Sequence, residues 1–238
     1  MPMAGRGSRY AQSEFTDPKP LISVAGKPMF EWALKSIGDI EVSKLIVVSL
    51  VEHELKYGLR ERLNNLWTGS FELILLENVT SGQLCTVLAA RHLLDTDEDV
   101  LIISSDTLVI SNLEQDIRDK SDKVAGIISV MNMPGDNWSF AKTNENGDVI
   151  EVAEKVRISD HASTGIYYFA KGSTLLHYGE QLVRQDRRTK GEFYIMPLYQ
   201  DLIASGHRIQ LSTASEMWDM GTPDAKSIFE EHVKMIKT

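Results

Sequence analysis

Lys44-Leu45-Ile46-Val47-Val48-Ser49-Leu50 is a continuous β-branched and aliphatic run, with three adjacent β-branched residues, Ile46, Val47 and Val48, in its middle. Such a run predicts a strand buried on both faces, the kind found inside parallel sheets. Working outward, Glu52–Leu66 carries the spacing of an amphipathic helix, Phe71–Leu76 reads as a second apolar strand, and Gln83–Leu94 as a helix. Val100–Ile103 follows as a third strand and gives way at once to polar Ser104-Ser105-Asp106-Thr107. Strand, helix, strand, helix, strand implies a mostly parallel sheet with helices on its faces. Ligands of such sheets sit beyond the carboxyl ends of the strands, so Asp106 marks the place to look for chemistry.

The flanks complete the picture. Residues 1–20 are rich in Gly, Pro, Ser and charge and read as a long loop; Pro28–Ile37 reads as a helix with Pro28 in its first turn and Gly38 as its stop. In the second half, Lys123–Met131, Phe140–Glu154 and Ser163–Phe169 read as strands, the middle one folded back at Asn144-Glu145-Asn146-Gly147 by an Asn-Gly turn. Ser173–Arg184, Tyr194–Ala204 and Thr222–Ile236 read as helices, the last capped by Thr222 with Pro223 behind it. The expected architecture is one α/β domain over 1–238, with residues 1–122 forming one half and 123–238 adding an antiparallel lobe.

Composition narrows the function. The chain of 238 residues has a formal net charge of −9, which disfavours nucleic acid as a partner. A single cysteine, Cys85, permits no internal disulfide, and no apolar run approaches a membrane span. No signal peptide is apparent, so the expectation is a cytoplasmic protein with no membrane partner. Six histidines show no zinc spacing. Cys85 reads as a small core residue, and Trp32, Trp67 and Trp138 as packing.

An acidic chain can still hold an anion where its cations converge. Ala4-Gly5-Arg6-Gly7-Ser8-Arg9 places two glycines beside two arginines, and Pro18 and Pro20 bracket Lys19. Glycines let backbone amides approach an anion, and arginines grip phosphate oxygens in pairs. The run is neither a Walker loop nor a dinucleotide fingerprint, because it lacks Gly-Lys-Ser/Thr and no helix follows directly.

Together with Pro18-Lys19-Pro20-Leu21 and Gly26-Lys27-Pro28-Met29, this opening resembles that of the sugar-phosphate nucleotidyltransferases (nucleoside-diphosphate-sugar pyrophosphorylases). The likeness continues through Thr80-Ser81-Gly82, Ser105-Asp106, Glu154-Lys155 (with Val156 where the family has proline), Thr164-Gly165-Ile166-Tyr167, Gly191-Glu192-Phe193-Tyr194 and Trp218-Asp219-Met220-Gly221-Thr222-Pro223. The resemblance implies a Rossmann-like three-layer sandwich with a mixed, mostly parallel sheet and a small antiparallel substrate-binding lobe. It also implies transfer of a nucleoside monophosphate from an NTP to a small phosphorylated substrate, with release of pyrophosphate. Ala4, Gly5, Arg6, Gly7, Ser8, Arg9, Lys19, Thr80, Ser81 and Gly82 would bind the NTP. Glu154, Lys155, Thr164, Gly165 and Glu192 would bind the acceptor. Asp106 and Asp219 would hold Mg2+, and Arg9, Lys19, Asp106 and Lys155 would carry catalysis.

Surface-polysaccharide synthesis is the expected use of the product, and a homo-oligomer is among the expected forms. Neither the base nor the acceptor is fixed by the sequence. A metal-dependent glycosyltransferase would call for Asp-x-Asp where Ser105-Asp106-Thr107-Leu108 stands; an inactive regulatory relative would have less reason to keep both aspartates. The members of the family carry several apolar residues before the glycine loop, whereas Met1-Pro2-Met3-Ala4 precede it here. The first strand is therefore expected to be very short, and apolar residues added ahead of it are expected to raise NTP affinity.

Overall fold

The computed structural model describes residues 1–5, 7, 10 and 16–236. A small antiparallel hairpin, β1 (Ser23–Val24) and β2 (Lys27–Pro28), leads into α1 (Met29–Leu34). Pro28 is the N-cap of that helix rather than a residue of its first turn. β3 (Leu45–Leu50) and β4 (Phe71–Leu76) pair in parallel over their full length. Between them lie two helices, α2 (Val51–Tyr57) and α3 (Leu59–Leu66), where the sequence suggested one. Gly58 breaks the run: it sits in the left-handed region at φ 58°, ψ 49°, and closes α2 through Gly58 N–H donating to the Glu54 carbonyl. The next expected helix is likewise divided, into α4 (Gln83–Leu88) and α5 (Arg91–Leu94).

β5 (Val100–Ile103) is followed by β6 (Thr107–Ser111), α6 (Leu113–Asp119), β7 (Val124–Met131), β8 (Ser139–Thr143), β9 (Val149–Glu154) and β10 (Ala162–Phe169). The Asn-Gly turn between β8 and β9 forms, with Asn144 Oδ1 accepting from the amides of Asn146 and Asp148. After α7 (Gly172–Arg184) and α8 (Met196–Ala204) comes β11 (Arg208–Asp219), a twelve-residue strand that the sequence reading passed over, and then α9 (Pro223–Ile236). Ala225 N–H donates to Thr222 Oγ1, so the expected cap of α9 is in place.

The larger sheet runs β6–β11–β7–β10–β8–β9, with β5 also pairing to β10. An α/β sandwich is present, with helices packed on both faces of the sheet region, but the expectation of a mostly parallel sheet is corrected. Among the described strands β3–β4 and β7–β11 are the parallel pairs, beside the single parallel bridge of Pro2 to Val48. β10 lies antiparallel to both β5 and β7, so the later half of the chain reverses direction inside the sheet itself, and tight returns such as the β8–β9 hairpin can form only antiparallel ladders.

The strand ahead of the glycine loop is short: Pro2 makes one parallel bridge to Val48, with Met3 N–H donating to the Val48 carbonyl at 2.7 Å. Beyond it, between β3 and β5, lies a groove of about 540 Å³ walled by Ile46, Val87, Leu94, Val100 and Ile102.

Candidate active site

A cleft of about 670 Å³ opens across the ends of these strands. One end is built from the chain's beginning. Gly7 sits against Lys19, where an added β-carbon would stand 3.0 Å from Lys19 Cβ. The Lys19 ammonium forms an ion pair with the Asp106 carboxylate, and both side chains are mostly shielded from solvent. Asp106 lies in the turn between β5 and β6, and Asp219 ends β11, paired across from Thr107. The two carboxylates are thus one residue apart across neighbouring strands, because the backbones themselves are bonded: Met220 N–H donates to the Asp106 carbonyl at 2.8 Å. Both also push the phenol of buried Tyr10 upward, adding to the larger effect of its burial.

The middle of the cleft is a loop held by backbone bonds. Thr80 N–H donates to the Ala4 carbonyl, and Thr80 Oγ1 lies 2.6 Å from Thr86 Oγ1. Gly82 adopts φ 133°, ψ 174°, which only glycine occupies readily. The absence of a side chain lets Phe193 close on the loop: Phe193 N–H donates to the Ser81 carbonyl, and its own carbonyl accepts from Leu84 N–H. Phe193 follows a two-residue turn, Thr189 to Glu192, whose central Lys190 and Gly191 both have positive φ.

The far end is formed by β9, β10 and the loop before β8. Glu154 is buried; its Oε2 accepts from Ser139 Oγ, while its Oε1 makes no hydrogen bond and lies 3.3 Å from the Lys155 ammonium. Burial pushes this carboxyl above its ordinary value, with Ser139 and Lys155 pulling part of the way back. Lys155 stands in the left-handed region at φ 60°, a strained place for a side chain. Its ammonium donates to the Asn137 carbonyl at 2.6 Å and lies 5.4 Å from the centre of the Tyr194 ring. Gly165, at φ 84°, marks a bulge in β10 and lets Ser104 donate both its N–H and its Oγ–H to the Gly165 carbonyl. Gln83 Nε2 reaches Ser104 Oγ at 3.2 Å.

The structure brings Gly5, Gly7, Lys19, Thr80, Gly82, Asp106, Glu154, Lys155, Thr164, Gly165, Glu192 and Asp219 to the walls of this one cleft. Ala4 and Ser81 are instead engaged through their carbonyls, to Thr80 and Phe193. The Thr164 hydroxyl is committed to Ser129 Oγ at 2.9 Å. Arg6, Ser8 and Arg9 lie outside the described residues. Trp138, read from sequence as packing, lines the cleft together with Asn137 and Tyr194. Nothing in its local spacing separates it from a core residue; only the β8–β9 hairpin brings it there. Gln83 and Tyr194 were hidden in the same way, as the first residues of expected helices.

Among the described residues no cluster of three or more His, Cys, Asp or Glu side chains could enclose a metal by itself. Two adjacent carboxylates beside a lysine do fit a hard divalent ion that takes its remaining ligands from phosphate and water.

Similarity to known proteins agrees with this layout. Residues 3–237 match the nucleotidyl transferase family model. The chain is 24% identical to the bifunctional protein GlmU of Thermotoga petrophila over 98% of its own length and 51% of that protein's. It is also 24% identical to UTP--glucose-1-phosphate uridylyltransferase AglF of Haloferax volcanii, covering 97% of this chain and 94% of AglF. It therefore spans about half the length of the GlmU proteins it matches. The crystal structure of a nucleoside-diphosphate-sugar pyrophosphorylase from Vibrio cholerae superposes with a TM-score of 0.81 at 29% identity, covering 97% of this chain and 98% of that one. By the extent of these matches, this chain belongs to the nucleotidyl transferase family.

Proposed function

We propose that the protein transfers a nucleoside monophosphate from an NTP to a sugar 1-phosphate or similar phosphorylated acceptor, releasing pyrophosphate. One observation carries this reading: a single cleft has Lys19 with Asp106 and Asp219 at one end and Lys155 with Glu154 at the other. Two anions need such a site. The acceptor's phosphate has a second pKa of about 6, so it is already anionic near neutral pH and needs no general base. The work is to bring two anions together and to stabilise charge on the departing pyrophosphate.

In this reading Gly5, Gly7 and Lys19, with Arg6, Ser8 and Arg9 of the same segment, hold the triphosphate, and Arg9 and Lys19 offset the charge that builds on pyrophosphate. The loop Thr80-Ser81-Gly82 meets the base. Lys155 aims the acceptor phosphate at the α-phosphorus. Glu154 Oε1, already desolvated and beside the Lys155 ammonium, accepts from an acceptor hydroxyl, and Glu192 with the Thr164–Gly165 bulge shapes the wall around it. Asp106 and Asp219 would hold Mg2+, which when bound supplies positive charge to the phosphates. The first half of the chain, about 1–122, serves mainly the NTP, and 123–238 mainly the acceptor. The product would feed polysaccharide assembly.

The test is pyrophosphate release with each of the four common NTPs, magnesium and a panel of phosphorylated sugars, polyols and amino alcohols. Release that requires one NTP and one acceptor supports the proposal. No release from any pair counts against it.

A further inference from the structure

Met220 is gripped from both sides. Its N–H is bonded to the Asp106 carbonyl at 2.8 Å, and its own carbonyl accepts from the Tyr10 hydroxyl at 2.7 Å. Next to it, Gly221 N–H donates to Asp219 Oδ1 at 2.9 Å. One residue therefore joins three pieces of chain: the turn that bears Asp106, the strand end that bears Asp219, and the amino-terminal glycine loop. Tyr10 closes that loop on itself as well, since its N–H donates to the Gly7 carbonyl at 2.9 Å.

The ring of Tyr10 is 3% exposed and belongs to a small core of its own, with Ile22, Val24, Trp32, Met220 and Phe229. A phenylalanine would fill the same space without the bond to Met220. Gly5 and Gly7 carry no side chain to fix their backbone, so a bond from the neighbouring Tyr10 to Met220 ties this segment to the groups that would share the ligand.

We propose that Tyr10 is a positioning residue that pins the glycine loop to Met220, so that the loop and the Asp106–Asp219 pair meet the triphosphate as one unit. This rests on the NTP reading of the cleft, but the pin can be read without it.

The variant is Tyr10→Phe. In the ligand-free protein, amide hydrogen exchange at Met220 and Gly221 is expected to quicken severalfold, with the unfolding temperature lowered by only about 2–4 °C, the cost of one buried hydrogen bond. With magnesium and the preferred NTP but no acceptor, calorimetry is expected to show binding weakened about fivefold, the worth of one buried hydrogen bond. The KM for NTP should rise by the same factor while the KM for the acceptor holds. Unchanged exchange at Met220 overturns the pin. Faster exchange with wild-type NTP affinity overturns its positioning role, as does an equal loss for NTP and acceptor accompanied by a larger fall in unfolding temperature. If the unmodified protein binds no NTP, the proposed function fails, and the exchange measurement alone then decides whether the pin exists.

Discussion

Gly82→Ala perturbs the contact that holds the middle of the cleft together. A β-carbon on Gly82 would lie 2.5 Å from the Phe193 carbonyl oxygen and 2.6 Å from its nitrogen, distances that real β-carbons do not tolerate. The backbone at φ 133°, ψ 174° adds strain of about 1–3 kcal/mol for any residue but glycine. Relieving the overlap means moving Phe193 away, which breaks the bonds to the Ser81 carbonyl and from Leu84 N–H, each contributing about 0.5–1.5 kcal/mol. Partial relaxation leaves a cost of about 2–4 kcal/mol, which for a chain of this size lowers the unfolding temperature by about 4–16 °C. The damage is centred on the loop assigned to the base, so the KM for NTP is expected to rise at least about tenfold. Gly147→Ala is the control: it also has positive φ, at 82°, but a β-carbon there meets nothing within 4 Å. Scanning calorimetry and steady-state kinetics on both variants decide the matter. If Gly82→Ala behaves like Gly147→Ala in both, the clasp between the loop and Phe193 has no such importance.

Burial holds the Glu154 carboxyl above its ordinary value of 4.5, so the folded state binds its proton more tightly and loses stability as pH rises above that value. Glu154→Gln should therefore stabilise the ligand-free protein at pH 7, with the advantage shrinking toward pH 4.5 and below, while the KM for the acceptor rises severalfold; a constant difference across this pH range would contradict the assignment. Lys155→Ala should raise the acceptor KM and lower kcat at unchanged NTP binding, read by calorimetry without acceptor; weakened NTP binding would place Lys155 at the wrong end of the cleft. Four β-branched residues added ahead of Met1 should enter the groove between β3 and β5, raising the unfolding temperature by about 2–8 °C for a net gain of about 1–2 kcal/mol and tightening NTP binding; four Gly or Ser residues should do neither, and equal behaviour of the two would sink the idea.

The parts of the fold that the sequence exposes are those with one dominant signal. β3, β4, β5 and β7 are apolar runs, and the Asn146-Gly147 turn dictates its hairpin. β11 gives no local strand signal because Arg208–Asp219 carries Ile209, Leu211, Ala214, Met217 and Trp218 without a sustained alternation; its identity as a strand comes from its neighbours, β7 and β6. The parallel β3–β4 pair of the first half was legible, but the antiparallel insertion of β10 between β5 and β7 is a pairing choice that no local pattern reports. In the site, residues within short distinctive segments such as Ser105-Asp106 and Glu154-Lys155 could be named from sequence. Tyr10, Gln83 and Trp138 could not, because each acts through a partner far away in the chain: Met220, Ser104 and the Lys155 backbone.

The most direct test follows the α-phosphate itself. With the preferred NTP labelled at the α-phosphorus, magnesium and the preferred acceptor, the label should appear in an NDP-linked product while unlabelled pyrophosphate accumulates in equal amount. Transfer should require the acceptor and should fall at least about a hundredfold in Asp106→Asn, the scale of losing one charged group that acts in the transition state. Label recovered as free nucleoside monophosphate, or transfer undiminished in Asp106→Asn, would contradict the account.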